Sequence, residues 1–269
     1  MKILSLDEGP LRTWPYQSAS PRGQAETVWF PLLRGTVDVL PDEVAALLVL
    51  SDLQGVAPHA LHEGAVALLG EVLADELALM AELGELPPPS NVGVVLAGDL
   101  YSSPLANVRG ASGDVRSVWR AFAEHFRWVV GVAGNHDTFG GAREQERFRQ
   151  RPGIHLLDGE VVDLEGLRVG GVGGIIGHPG KPGRREEEAF LQVLGGVLRE
   201  DPELLVLHMG PDAPDTGARG SPVIREQVQA RGALVVCGHA HWEVPLATLP
   251  GGVQVLNVDS RAVLLERAR

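Results

Sequence analysis

Five times along this chain a short apolar run ends in residues that can hold a metal ion or move a proton, and this repeat limits the folds open to it. Leu47–Leu50 leads into Ser51-Asp52, Val92–Leu96 into Gly98-Asp99, and Trp128–Val132 into Gly134-Asn135-His136-Asp137. Leu204–Leu207 leads into His208, and Ala233–Val236 into Gly238-His239-Ala240-His241. Unbroken apolar runs bounded by glycine and polar residues suit strands buried on both faces. Between the runs lie stretches of helical spacing, Ala60–Leu83, Ser112–Arg127, Arg184–Leu198 and Ser221–Arg231. In the first, Leu69, Val72, Leu73 and Leu77 share one face, and Gly84 followed by Pro87, Pro88 and Pro89 ends it. Ser112 or Asp114 is placed to cap the second, Glu186, Glu187 and Glu188 suit the positive end of the third, and Pro222 suits the first turn of the fourth. Strands alternating with helices predict an α/β fold. Val161–Val172 reads as one or two strands, and Val253–Val258 and Ala262–Leu265 lie too close together for a crossover helix, which predicts a mixed sheet.

Residues 1–43 differ in character and read as an N-terminal extension packed on a main domain spanning 44–269, with a strand pair around Thr27–Leu33 and Thr36–Leu40. A length of 269 residues with 44% hydrophobic content supports one sizeable globular core. The net charge of -12 opposes bulk binding to a nucleic-acid backbone. A small anion remains compatible if divalent cations offset that charge locally. No apolar run approaches the roughly 20 residues of a membrane span, and Met1-Lys2-Ile3-Leu4 is followed by Asp7 and Glu8 without a leader-like apolar core. Cys237 is the single cysteine, so no intramolecular disulfide is possible. A cytoplasmic protein without a membrane partner is the expectation.

Ligands of α/β sheets bind at the carboxyl ends of strands, so the five polar termini are expected to converge on one rim. Asp supplies hard anionic oxygen, Asn neutral oxygen and His nitrogen. That mixture suits Mn, Fe, Zn or Co better than Ca or a structural thiolate zinc. Taken singly, Asp52 and Asp99 read equally well as helix caps, Asn135 and Asp137 as turn residues, and His208 as a satisfied buried histidine. His239 and His241 fall on one strand face by period two without any metal. The full set, each member closely following a buried run, favours a metal site.

In this order, Asp52-Leu53-Gln54, Gly98-Asp99, Gly134-Asn135-His136-Asp137, His208 and Gly238-His239-Ala240-His241 resemble the motifs of the calcineurin-like metallophosphoesterases over about residues 45 to 260. The resemblance implies a four-layer sandwich of two mixed β-sheets flanked by helices. It implies two divalent metal ions, Mn foremost with Fe, Zn or Co as alternatives. Asp52 and His241 would hold the first, Asn135, His208 and His239 the second, and Asp99 would bridge them. His136 would be the acid that protonates the leaving group, with Asp137 orienting it. The family usually carries His two residues after its first Asp, where this chain has Gln54. Gln54 would ligate weakly, or hold a water on the metal, or be replaced by His59 or His62; the first two readings are favoured because an amide oxygen is the weaker ligand and a loop histidine is more often merely exposed.

The implied activity is hydrolysis of a small phosphoester by a hydroxide activated between two metals, a phosphodiester ahead of a phosphomonoester. Gly98-Asp99 continues into Leu100-Tyr101-Ser102 rather than the Asp-Arg-Gly of protein Ser/Thr phosphatases, which lowers the expectation of a phosphoprotein substrate. The alternative, supported by Gln54, is a non-catalytic metal- or phosphate-binding protein on the same fold. His178, in the Gly/Pro-rich stretch 173–183, and the basic stretch Arg143, Arg147, Arg149 and Arg151 read as solvated surface. The glycines of Gly170–Gly177 do not complete a dinucleotide fingerprint, because Ile176 stands where its last Gly belongs. Cys237 reads as core.

Overall fold

The structure is a computed structural model that describes residues 1–62, 65–229 and 231–268, the side chains of Leu61 and His62 excepted. Among these residues two large sheets stack face to face. The first has ten strands, in the order Ile154–Leu157, Trp128–Val132, Val92–Leu96, Ala46–Ser51, Arg261–Arg267, Ala25–Val37, Arg12–Ala19, Val56–His62 and Ala65–Leu68, with Ile3–Leu6 paired to Ala25–Val37. The second has six, in the order Val161–Leu164, Leu167–Val172, Leu204–Met209, Leu234–Gly238, Gln254–Asn257 and Leu246–Thr248. Both are mixed. Four successive strands of the first sheet, from Ile154–Leu157 to Ala46–Ser51, run parallel, and Arg261–Arg267 then pairs antiparallel to Ala46–Ser51.

The unbroken apolar runs are explained by burial on both faces. Leu47, Val49, Val95 and Val263 of the first sheet meet Val169, Val206, Val236 and Leu256 of the second in the central layer. Their neighbours Leu48, Leu50, Val94 and Leu264 turn outward onto Leu73, Leu77, Trp119 and Phe122 of helices Leu69–Glu82 and Arg116–His125. On the far side Leu205, Leu207 and Val235 pack on Phe190, Leu194 and Ile224 of helices Glu187–Arg199 and Pro222–Val228. Helix, sheet, sheet, helix is the expected four-layer sandwich.

Several elements differ from the sequence reading. Ala60–Leu83 is helical only from Leu69, because Val56–His62 and Ala65–Leu68 form an antiparallel hairpin at the end of the first sheet. The strand pair expected at Thr27–Leu33 and Thr36–Leu40 is one 13-residue strand, Ala25–Val37. Gly35, which reads as a turn, is a close-approach glycine: a Cβ there would sit 2.7 Å from the carbonyl oxygen of Ser5. Val161–Val172 is two strands joined by a tight turn at Glu165-Gly166, both at positive φ (61° and 97°). The two C-terminal strands belong to different sheets, so the chain crosses between layers at Val258–Ser260, next to the end of Ala46–Ser51.

Candidate metal centre

The polar residues after the strands come together because the chain turns abruptly there. Asp52, Asp99 and His239 all adopt left-handed backbone, at φ 54°, 55° and 67°. Non-glycine residues rarely do so, and such strain persists only where surroundings hold it. The adjoining glycines leave room for the turns. A Cβ at Gly134 would collide with the carboxylate and amide of Asp99, and one at Gly238 with Asp52 Oδ2 and Ser51 Oγ. Gly-Asn-His and Gly-His are therefore packing requirements as much as ligand spacings.

Asp99, His208 and His239 offer ligand atoms that lie within 4.8 Å of one another, the one such group of His, Cys, Asp and Glu among the described residues. His208 is fully buried, and its Nδ1 lies 2.8 Å from the carbonyl oxygen of Ala97. A carbonyl only accepts, so Nδ1 carries the proton and Nε2 faces the cluster, 3.4 Å from Asp99 Oδ2. His208 Nε2 and Asn135 Oδ1 are buried without a hydrogen-bond partner. Two unpartnered buried acceptors beside a carboxylate and a second imidazole are what a bound divalent cation would satisfy. The residues present fit a metal at this position.

Without a cation the same cluster holds a proton on His208 in the place a metal would take. Burial pulls the His208 imidazolium down, but the carboxylates of Asp99 and Asp52 outweigh it and hold it up at about 10. Burial raises Asp99, yet His208 outweighs it and keeps that carboxyl low. Burial, reinforced by Asp259 and Asp99, drives Asp52 well above the usual carboxylate range. His239, whose ring packs edge-on to His208 at 5.1 Å, is pushed down to about 4 by desolvation and by His208. A buried carboxylate held low by imidazoles beside a second one raised by burial is an arrangement that a cation would stabilise.

Asp52 Oδ2 accepts from Ser51 Oγ at 2.7 Å and from the backbone N–H of His239 at 2.9 Å. His241 is 61% exposed, with Nδ1 2.8 Å from Asp259 Oδ2, which leaves Nε2 as its outward atom. Asp52 and His241 do not complete a second group as close as the first. Gln54 Nε2 donates to Asp99 Oδ2 at 2.9 Å. Its amide is thus directed at the carboxylate expected to bridge. His59 is exposed in Val56–His62, and the side chain of His62 lies outside the described residues.

One assignment is corrected. The carboxylate of Asp137 does not orient His136. It accepts from the backbone N–H groups of Asp99, Leu100 and Gly134, each at 2.8 Å, and so ties two ligand loops together. Enclosure and the charge of Asp99 push it up to about 6. The partner of His136 is Ser112, whose Oγ lies 3.1 Å from Nδ1. Ser112 reads from sequence as a helix cap, but helix Arg116–His125 starts four residues later and residues 113–114 pair with Asp137–Thr138. Asp259 and Asn257 were also missed, although Val253–Leu256 followed by Asn257-Val258-Asp259 repeats the signature of the other strand ends. Asn257 Nδ2 donates to the carbonyl of Ala240 at 2.8 Å and steadies the loop that carries His239 and His241. His178 is exposed, its Nδ1 accepting from Gly180 N–H within its own turn. Cys237 is buried, and burial raises its thiol to about 12, so it is core.

The calcineurin-like phosphoesterase family model matches residues 45–243. The chain belongs to this family, and with its Asp99, His208 and His239 cluster the assignment supports a metal-dependent hydrolase. No curated protein sequence matches the chain. Among solved structures it is similar to the sulfate thiohydrolase SoxB of Thermus thermophilus, at 16% identity and a TM-score of 0.45 over 83% of this chain. It spans 53% of that protein's length. It is also similar to a protein of unknown function, AQ665 of Aquifex aeolicus, at 14% identity and a TM-score of 0.35, covering 81% of this chain and 95% of that one. No helix among the described residues is long and apolar enough to cross a membrane.

Proposed function

We propose that this protein hydrolyses a small phosphoester, a phosphodiester ahead of a phosphomonoester, in the cytoplasm. The observation that carries the reading is the convergence of Asp99, His208 and His239 with the unpartnered buried acceptor of Asn135. A divalent cation held there, Mn²⁺ by preference, would supply Lewis acidity and lower the pKa of water to make a nucleophile near neutral pH. The strong site is the one formed by Asp99, Asn135, His208 and His239. The site toward Asp52 and His241 is the weaker, because Gln54 offers Asp99 an N–H where the family's usual residue offers an imidazole ligand. Ala97 and Asp259 fix the tautomers of His208 and His241. Asp137 holds the Asp99 and Asn135 loops in register through backbone amides. His136, half-buried beside Ser112, would give a proton to the departing alkoxide oxygen.

The test is elemental analysis after Mn²⁺ loading and desalting, together with turnover by wild type and His136→Ala of an alkyl diester, diethyl phosphate, whose ethoxide leaving group needs a proton. Wild type is expected to retain at least one equivalent and to turn over. His136→Ala is expected to retain the same metal and lose roughly 10²- to 10⁴-fold in rate. Unchanged turnover in the variant would remove His136 from the acid role. Metal without turnover on any generic diester would favour the non-catalytic binding protein instead.

A further inference from the structure

A second concavity adjoins the metal centre and is built largely by the N-terminal strands. It is a cleft of about 980 Å³ between Ile3–Leu6 and Ala25–Val37 on one side and residues 243–246 on the other, with His241 and Tyr16 in its lining. Its rim carries Trp29 at 63% exposed, Val244 at 64% and Leu4 at 58%. A tryptophan this exposed on a strand, with a valine of similar exposure lining the same cleft, marks a binding surface rather than a stray apolar residue. Tyr16 joins the cleft to the centre: its ring packs on Gly55, where a Cβ would collide with it, and it lies within electrostatic reach of Asp52 and Asp259.

Charge narrows the occupant. The ionisable groups facing the cleft are Asp7, Glu8, Glu243, His241, Arg261 and the phenol of Tyr16. The guanidinium of Arg261 is buried and spent on the carbonyls of Asp259 and Trp242. The three carboxylates are exposed and repel any anionic group beyond the phosphoryl itself. An uncharged aromatic group suits Trp29 and tolerates the acidic rim; a polyphosphate or a second carboxylate does not. Position narrows it further. Neither His136, nor Ser112 beside it, nor Gly110 beneath its ring lines the cleft. The acid therefore serves one substituent of the phosphoryl group and the cleft another.

We propose that this cleft binds the retained organic substituent of a phosphodiester, an uncharged aromatic group stacked on Trp29, which makes the substrate an aryl- or nucleobase-type diester with a single phosphoryl charge. The proposal rests on the phosphoesterase reading for the phosphoryl end alone.

Calorimetry on the Mn²⁺-loaded full chain tests it with methylphosphonate and 1-naphthylmethylphosphonate, whose C–P bonds are not hydrolysed. Wild type is expected to bind the naphthyl compound at least about tenfold tighter, the scale of one aromatic stack. Trp29→Ala with Val244→Ser, both at exposed positions, is expected to lose that gain and keep its methylphosphonate affinity. Equal affinities in wild type, or an undiminished gain in the double variant, would overturn the cleft. If neither phosphonate binds, the metal-site reading fails, and 2-naphthol decides the cleft on its own. Binding by wild type and not by the double variant sustains it, and no binding by wild type overturns it. Sedimentation at the same concentrations closes the remaining case, since a wild-type dimer that the double variant dissociates would give the cleft to a second copy of the chain.

Discussion

Asp52, Asp99 and His239 each hold a left-handed backbone at the point where a buried strand ends, and their side chains reach the centre because of it. Asp259 shows how much positioning lies outside the ligand motifs. Its carboxylate sits 2.8 Å from His241 Nδ1, the arrangement that fixes an imidazole's tautomer and direction toward a metal. Asp259→Asn is expected to weaken Mn²⁺ binding at the Asp52 and His241 side by about 10- to 100-fold. Competition with a fluorescent chelator reads that loss directly, and an unchanged second binding constant would show that His241 is not a ligand there. The motif residues were legible from sequence because each follows an apolar run and differs from its surroundings in chemistry. Ser112, which reads as a helix cap, and Asp259 are not legible as site residues, since a serine before a helix and an aspartate in a short turn have commoner local uses. The partners of Asp137 are hidden for a related reason: adjacency to His136 in sequence does not specify which way a carboxylate points.

At the scale of elements, Ala25–Val37 is the strand that ties the N-terminal residues to the centre of the molecule. It runs parallel to Arg261–Arg267, which in turn borders Ala46–Ser51 and so Asp52. Leu32 on this strand is fully buried against the outer helices. Leu32→Ala is expected to cost about 3 kcal/mol, as for other core leucine truncations. Val39→Ala, at a position 49% exposed, is expected to change stability by less than about 0.5 kcal/mol. Urea unfolding of both variants checks the pair, and a small loss at Leu32 would mean that the N-terminal strands are not part of the cooperative core. The central parallel strands were legible because burial on both faces writes an unbroken apolar run. The N-terminal strands were blurred because their outer residues face solvent and the cleft, which interrupts the pattern with Trp29, Pro31 and Arg34. The start of the first helix was misplaced because Ala60–Leu68 contains alanines and leucines that satisfy either period.

For the whole molecule, the centre lies where loops from both sheets meet, so a metal bound there stabilises the stacking of the sheets as well as the loops. Occupancy at about 100 times Kd adds about 2.7 kcal/mol if the unfolded chain has no affinity, which for a chain of this size shifts the melting temperature by roughly 5 °C or more. Mn²⁺ is expected to raise the melting temperature of wild type by that order and to leave Asn135→Ala nearly unmoved, as read by scanning calorimetry. An equal shift in the variant would place the ion elsewhere on this acidic surface, whose net charge of -12 attracts cations without any specific site. What the sequence determined by itself was the α/β character, the strand termini and the Asp99, His208 and His239 that cluster, because local burial and residue type are printed in the order of residues. The tertiary structure alone decided three further things. It sent the two C-terminal strands to different sheets, it turned the Gln54 amide onto Asp99, and it laid the N-terminal strands beside His241 to form a cleft. Each of these is a contact between residues far apart in the chain, set by which faces must be buried together, and no periodicity within a segment records its distant partner.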